Sequence, residues 1–269
     1  MPETDPVLEV MGLRKEFGEL VAVDDVSFQI PEGGSLAVVG ESGSGKTTIA
    51  RMVVGLERPT AGTIRACGRD RSLPARKTSE RRARGREVQI VFQDPYSSLD
   101  PRQTAAASID EVVRLHHGGN AGERRERVAE LSGLVGLDER QVRALPRALS
   151  GGQRQRVAIA RALAAEPRLL ILDESVAALD VSIQAQVLNL LADIHDRTGV
   201  SYLLISHDLA VVRQLAHETI VMNRGQVVES GPTAEVLDNP QQEYTKILRA
   251  SVPGPGWKPV RRRMRTAPG

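Results

Sequence analysis

Gly40-Glu41-Ser42-Gly43-Ser44-Gly45-Lys46-Thr47 decides the reading of this chain because of what flanks it. The apolar run Leu36 to Val39 before it reads as a buried strand, and the pattern from Thr48 onward reads as a helix. A glycine-rich turn of this spacing between strand and helix is a phosphate-binding P-loop. Its glycines let backbone N–H groups turn inward around a polyphosphate, and the helix N-terminus adds a partial positive charge. Lys46 then reaches the β- and γ-phosphates, and Thr47 offers a hydroxyl to Mg²⁺. The pattern predicts a nucleoside triphosphate as ligand.

Upstream, residues 7 to 30 alternate polar and apolar, including Val21, Val23, Val26, Phe28 and Ile30, and end at Pro31-Glu32-Gly33-Gly34. This predicts antiparallel strands leading into the strand of the loop. Downstream, Pro59-Thr60-Ala61-Gly62 marks a turn. The basic stretch from Arg69 to Arg86 carries no interleaved aromatics, which favours a solvated insertion over a nucleic-acid site. Val88 to Phe92 reads as another buried strand, and helical patterns fill residues 104 to 165. Two further apolar runs, Arg168 to Asp173 and Val200 to Ser206, end at carboxylates and at His207. Between them Ile183, Val187, Leu190, Leu191 and Ile194 recur along one face of a crossover helix, so the strands should be parallel. Parallel sheets bind ligands at the carboxyl ends of their strands. The P-loop, Gln93, Asp173, Glu174 and His207 are all expected there, in one crevice.

Each of these side chains has a chemical use beside a triphosphate. Asp173 can hold Mg²⁺ through water, and Glu174 can orient and polarise the water that attacks the γ-phosphate. His207 can contact the γ-phosphate, although taken alone it would read as a satisfied histidine. Gln93 can accept from a water and reach a metal through its carbonyl oxygen. In Leu149-Ser150-Gly151-Gly152-Gln153-Arg154-Gln155-Arg156, Ser150 can cap the helix that follows, and the glycines leave its first amides open to an anion. The same residues also fit an ordinary capped helix.

The 269 residues are 41% hydrophobic, ample for an interior core, and a net charge of +2 gives no global field for nucleic acid. Cys67 is the single cysteine, so neither an internal disulfide nor an iron–sulfur cluster can be built. No apolar run approaches the roughly 20 residues of a bilayer span. The chain is therefore expected to be soluble and cytoplasmic by itself, with any membrane role coming through partners.

Taken together, the motifs closely resemble the ATP-binding cassette (ABC) ATPases across residues 7 to 250. They are the P-loop, a Q-loop at Gln93, the signature Leu149 to Gln153, the run Leu169 to Glu174, a D-loop ending at Asp180, and the switch His207. The stretches Val91 to Arg102, Leu179 to Leu188, Gly231-Pro232-Thr233 and Glu243-Tyr244-Thr245 look like the subgroup serving oligopeptide, dipeptide and nickel importers. The resemblance implies an α/β P-loop NTPase fold: a RecA-like, mostly parallel sheet core with an N-terminal antiparallel β subdomain and an inserted α-helical subdomain. It places one ATPase domain over residues 1–250, with the β subdomain and core at 7–92 and 166–250 and the helical subdomain at about 93–165. Residues 251–269, basic from Lys258 to Arg265, would form a flexible tail able to meet anionic lipid head groups.

The resemblance further implies ATP and Mg²⁺ as cofactors. Phe17, which could equally be core, would stack on adenine, and Gly40 to Thr48 would hold the phosphates. Thr47, Gln93 and Asp173 would serve the metal, while Glu174, His207 and Gln93 would serve catalysis. Ser150, Gly151, Gly152, Gln153 and Asp180 would act in trans, on ATP held by a second ABC ATPase subunit facing head to tail. Two transmembrane permease subunits, and indirectly an extracytoplasmic solute-binding protein, would be the other partners, on the cytoplasmic side of the cell membrane. No nucleic-acid partner is expected. The implied function is the ATP-hydrolysing subunit of an importer for peptides or a similar small solute such as nickel complexes. A cassette acting on DNA or ribosomes, and a regulatory cassette that binds ATP without hydrolysing it, are the alternatives. The one P-loop, the lack of sustained heptads, and the presence of Glu174 and His207 stand against them.

In the family, Pro usually follows Glu174 and Ser stands two residues later; this chain has Ser175 and Ala177. The expected consequence is slower or looser coupling, which unchanged turnover of a Ser175→Pro, Ala177→Ser double variant would contradict.

Overall fold

A computed structural model describes residues 5–94, 98–177 and 179–250 of the chain. Pro95, Tyr96 and Ser97 of the stretch that suggests an importer subgroup, Ala178 of the D-loop, and the expected basic tail lie outside the described residues.

Two kinds of strand pattern build two sheets. The half-buried strands β1 (Leu8–Phe17), β2 (Leu20–Ile30), β4 (Ala61–Ala66) and β5 (Arg69–Asp70) form an antiparallel sheet in the order β2-β1-β4-β5. The continuous apolar runs become β3 (Ser35–Val39), β7 (Leu169–Asp173) and β8 (Ser201–Ser206), every residue of which is buried. Together with β6 (Val88–Val91), β9 (Glu218–Asn223) and β10 (Gln226–Pro232) they make a second sheet in the order β10-β9-β3-β8-β7-β6. It is parallel except for β10, which runs antiparallel to β9.

Strands buried throughout need cover on both faces, and successive side chains supply two cores. Ala37, Val39, Leu170, Leu172 and Leu204 enter one apolar cluster, whereas Leu36, Val38, Leu169, Ile171 and Leu203 enter the other. The second cluster also takes Ile49, Met52 and Val53 from α1 (Lys46–Val54) and the inward side of the antiparallel sheet. The first takes the helices α3 (Ala105–His116), α4 (Ala121–Leu134) and α6 (Gly151–Leu163), with α7 (Val181–Thr198) and α8 (Leu209–Leu215). α7 buries Val187, Leu188, Leu191 and Ile194, while Ile183 and Leu190 are only half-buried. The crossover helix thus presents a stripe that includes Leu188, a residue the periodicity left out.

The basic stretch forms β5 and α2 (Thr78–Glu87), and α2 buries no residue, as a solvated element should. Arg71 departs from that pattern. It is only 4% exposed, with Nη2 2.7 Å from Glu87 Oε2 and Nη1 donating to the Arg84 carbonyl at 3.1 Å. Burial without a partner is costly for a guanidinium, so this arginine ties the segment after β5 to α2. A short helix α5 (Glu139–Val142) completes the helical region, and α9 (Thr233–Asp238) and α10 (Glu243–Ala250) close the described chain.

Candidate functional site

The P-loop leaves β3 at Gly40 and enters α1 at Lys46. Two glycines are obligatory there on two grounds. Gly40 has φ of 153° and a Cβ would lie 2.3 Å from the Met222 carbonyl oxygen; Gly45 has φ of 103° and a Cβ would lie 2.4 Å from the Ala22 carbonyl oxygen. As N-cap, Gly45 has no side chain to offer, so the first-turn N–H groups of α1 receive no side-chain cap. Lys46 is buried at 4% exposure and folds back over the loop, with Nζ donating to the carbonyls of Gly40 and Glu41, both at 2.8 Å. Burial pushes its pKa down, and the charges of Glu174 and Asp173 pull it back up. A buried cation beside uncapped helix amides suits an anion.

β7 brings the acids to the same place. Thr47 Oγ1, on the first turn of α1, donates to Asp173 Oδ1 at 3.2 Å. Burial raises the Asp173 pKa, the Thr47 hydrogen bond lowers it, and neighbouring Glu174 raises it further. Glu174 stands in the left-handed region at φ of 47°, uncommon for a residue with a side chain, and its N–H is held by the Ile205 carbonyl at 2.9 Å. His207, just past β8, places Nδ1 3.3 Å from Glu174 Oε1. Asp208 fixes that turn: its Oδ1 accepts from Ala210 N–H at 2.9 Å to cap α8, and its Oδ2 accepts from Gln184 at 3.0 Å. Asp208 escaped the sequence reading, although an Asx residue before a helical run is an N-cap signal.

Two adjoining hollows result. Phe17, Ser42, Gly43, Gly45, Lys46, Thr47, Thr48 and Glu174 line one of about 270 Å³. Gly40, Glu41, Ser42, Glu174 and His207 line the second, about 860 Å³, which runs on along α7 and α8. Phe17 is 45% exposed, so it is no core residue, and Lys15 Nζ sits 4.6 Å from its ring centroid. Gln93 is the exception to the expected convergence. It leaves the same sheet end, since Val91 of β6 pairs with Leu172 of β7, but it is exposed and lines neither hollow.

The signature residues lie elsewhere. Ser150, Gly152 and Gln153 line a separate hollow of about 240 Å³ with Ile183 and Gln186. Ser150 is the N-cap of α6 and accepts from Gln153 N–H at 3.3 Å, while Gln153 Oε1 accepts from Ser150 N–H at 2.8 Å. Asp180 likewise caps α7, accepting from Ile183 N–H at 3.0 Å. Gly151 meets Leu179 at an ordinary 3.6 Å from an ideal Cβ, whereas at Gly152 a Cβ would lie 2.3 Å from Ile183 Cγ2. In the turn before α7, Ser175 is buried and Ala177 is exposed, its N–H donating to the Glu174 carbonyl at 3.0 Å.

A family model described as ABC transporter matches residues 23–177, more than half of the 269. The chain belongs to the ABC transporter family. This cassette is 47% identical over 250 residues to the oligopeptide transport ATP-binding protein OppD of Mycobacterium bovis, across 93% of the chain and 40% of that protein. It is 45% identical to the glutathione import ATP-binding protein GsiA of Salmonella paratyphi A, across 93% of the chain and 42% of that protein. A Brucella abortus protein named for peptide import and ATP binding is 48% identical over 245 residues, which cover 90% of the chain and 73% of that protein. The cassette thus spans about two fifths of the length of the OppD and GsiA relatives. Among solved structures, the ATP-binding cassette MJ0796, a dimer in a post-hydrolysis state bound to ADP and Pi, superposes with a TM-score of 0.75 at 29% identity. That match covers 84% of this chain and 98% of the other. Among the described residues no helix is long and apolar enough to cross a membrane.

Proposed function

We propose that this cassette binds and hydrolyses ATP to energise an importer of peptides or a similar small solute. The observation that carries the reading is the convergence of Lys46, Thr47, Asp173, Glu174 and His207 on the carboxyl end of one parallel sheet. Lys46 and the uncapped amides of α1 hold the phosphates, with adenine against the exposed face of Phe17. Glu174 accepts a proton from the attacking water and orients it towards the γ-phosphate. His207, within reach of the same carboxylate, contacts the γ-phosphate as water attacks it and ADP leaves.

Thr47 Oγ1 and Asp173 Oδ1, two hard oxygen donors already side by side, fit Mg²⁺. The burial that raises the Asp173 pKa is the penalty a cation would relieve. Among the described residues no group of three or more His, Cys, Asp or Glu could cage a metal, so phosphate oxygens and water would complete the shell, as Mg²⁺ prefers. When bound, the ion neutralises charge on the transferring phosphoryl group. Gln93, on the same sheet edge, is our candidate for reporting that state to a neighbour.

The signature end of α6 serves a different ATP, the one held by a second cassette, and Asp180 accompanies it. The dimeric state of the MJ0796 structure supports that pairing. Two permease subunits hold the cassettes at the cytoplasmic side of the membrane and connect them indirectly to an extracytoplasmic solute-binding protein, and residues 93–165 form the subdomain that meets the permeases. The names of the OppD, GsiA and Brucella relatives support a peptide-type solute.

The test is the Glu174→Gln protein, recovered from its native cells with ATP present and analysed by mass spectrometry. It should bind ATP, lose turnover by about a thousandfold and bring permease subunits with it. Normal hydrolysis would overturn the role of Glu174, and recovery of ribosomes or DNA-bound factors in place of permeases would overturn transport.

A further inference from the structure

Tyr244 touches the P-loop from the far end of the chain. Its hydroxyl accepts a hydrogen bond from the N–H of Glu41 at 3.1 Å, across 203 positions of sequence. That N–H belongs to the Gly40–Glu41 peptide, whose carbonyl is the Gly40 oxygen receiving Lys46 Nζ at 2.8 Å. A single peptide plane is therefore held at both edges, by Tyr244 on the donor side and by Lys46 on the acceptor side. The plane sits where no side chain could replace it, because Gly40 has φ of 153° and lies against the Met222 carbonyl.

The element carrying Tyr244 is itself anchored. Glu229 of β10 accepts from the N–H groups of Gln241 and Gln242, at 2.7 and 3.2 Å, immediately before α10. Leu248, one turn beyond Tyr244, is buried and lines the larger hollow beside Glu41 and His207. Packing thus fixes the ring, and the hydroxyl is left to set the orientation of the peptide.

We infer that Tyr244 is a positioning residue for nucleotide binding, orienting the Gly40–Glu41 peptide so that its carbonyl aims Lys46 into the phosphate site. The inference rests on the ATP-binding reading above. Rotation of that peptide would swing the Gly40 carbonyl away from Nζ and leave the lysine held by the Glu41 carbonyl, with the Ser44 hydroxyl at 3.4 Å, so losing the Tyr244 hydroxyl loosens the aim of Nζ and weakens affinity without touching substrate.

Tyr244→Phe keeps the ring and removes the hydroxyl. Calorimetric titration with Mg-ATP should show Kd rising by about threefold to tenfold, the range of one net hydrogen bond. Amide hydrogen exchange supplies a readout that loss of packing would not produce: the Glu41 amide should exchange faster in the variant, while Gln241 and Gln242 keep their protection. If wild type binds ATP and the variant matches it in Kd and in Glu41 exchange, the inference falls and the ATP reading stands. If all three amides speed up together, α10 has undocked and the specific role is overturned. A wild-type chain that binds no ATP would overturn the ATP reading itself, and this inference with it.

Discussion

The N-termini of α1 and α6 are built from similar sequence, a serine and glycines opening a helix, yet they are chemically opposite. α1 starts at Gly45 without a side-chain cap, with buried Lys46 in its first turn and Asp173 and Glu174 beside it. α6 starts at Ser150, and Ser150 and Gln153 satisfy each other's backbone N–H groups. An uncapped helix end beside a buried cation wants an anion; a reciprocally capped end is content without one. The difference supports reading α1 as the phosphate site of this chain, while the trans role proposed for α6 rests on pairing with a second cassette.

Removing the cation is the strongest way to break this contrast. Lys46→Ala should weaken ATP binding by about a hundredfold, the loss of charge-assisted hydrogen bonds to phosphate, as read by titration with Mg-ATP. An affinity unchanged by the substitution would mean that the two helix ends do not differ as described.

Next in size is a paired test at α6. Gly152→Ala drives a methyl into Ile183 Cγ2 and should cost about 1–3 kcal/mol of stability, the usual range for overpacking. Gly151→Ala meets Leu179 at ordinary contact distance and should leave the urea midpoint nearly unmoved. With the fold intact, Gly151→Ala becomes the clean probe of the partner's ATP, read as loss of turnover in the assembled dimer. Equal destabilisation by both variants would erase the division of labour between the two glycines.

The smallest effect lies in the acid that α1 borrows from β7. Burial raises the Asp173 pKa, so the folded chain holds that proton more tightly than the unfolded chain does. This group therefore favours folding below its unfolded pKa of about 3.9 and loses that contribution as pH rises through the raised value. Asp173→Asn should raise the melting temperature of the nucleotide-free protein at neutral pH by about 2–4 °C, the shift expected for about 1 kcal/mol in a domain of this size. The gain should shrink as pH falls towards 4, and Mg²⁺ should no longer tighten ATP binding. A melting temperature lowered at pH 7 would show that the Thr47 hydrogen bond outweighs burial.

Local chemistry made much of this legible in the amino-acid order. The P-loop torsions demand glycine at Gly40 and Gly45, the apolar runs at Leu36–Val39 and Leu169–Leu172 demand burial on both faces, and Ser150 and Asp180 occupy cap positions defined by their nearest neighbours. These features depend on a few adjacent residues, so a strand, a helix start or a phosphate loop can be read in place. What meets what depends on packing between distant segments. The tertiary structure alone shows Gln93 exposed and outside the two hollows beside the P-loop, Phe17 open to solvent with Lys15 over its ring, and Arg71 buried against Glu87. It also sets Gly152 against Ile183 and the Tyr244 hydroxyl against the Glu41 amide. Contacts of that kind are fixed by how the sheet stacks its helices, a long-range outcome that no local periodicity encodes.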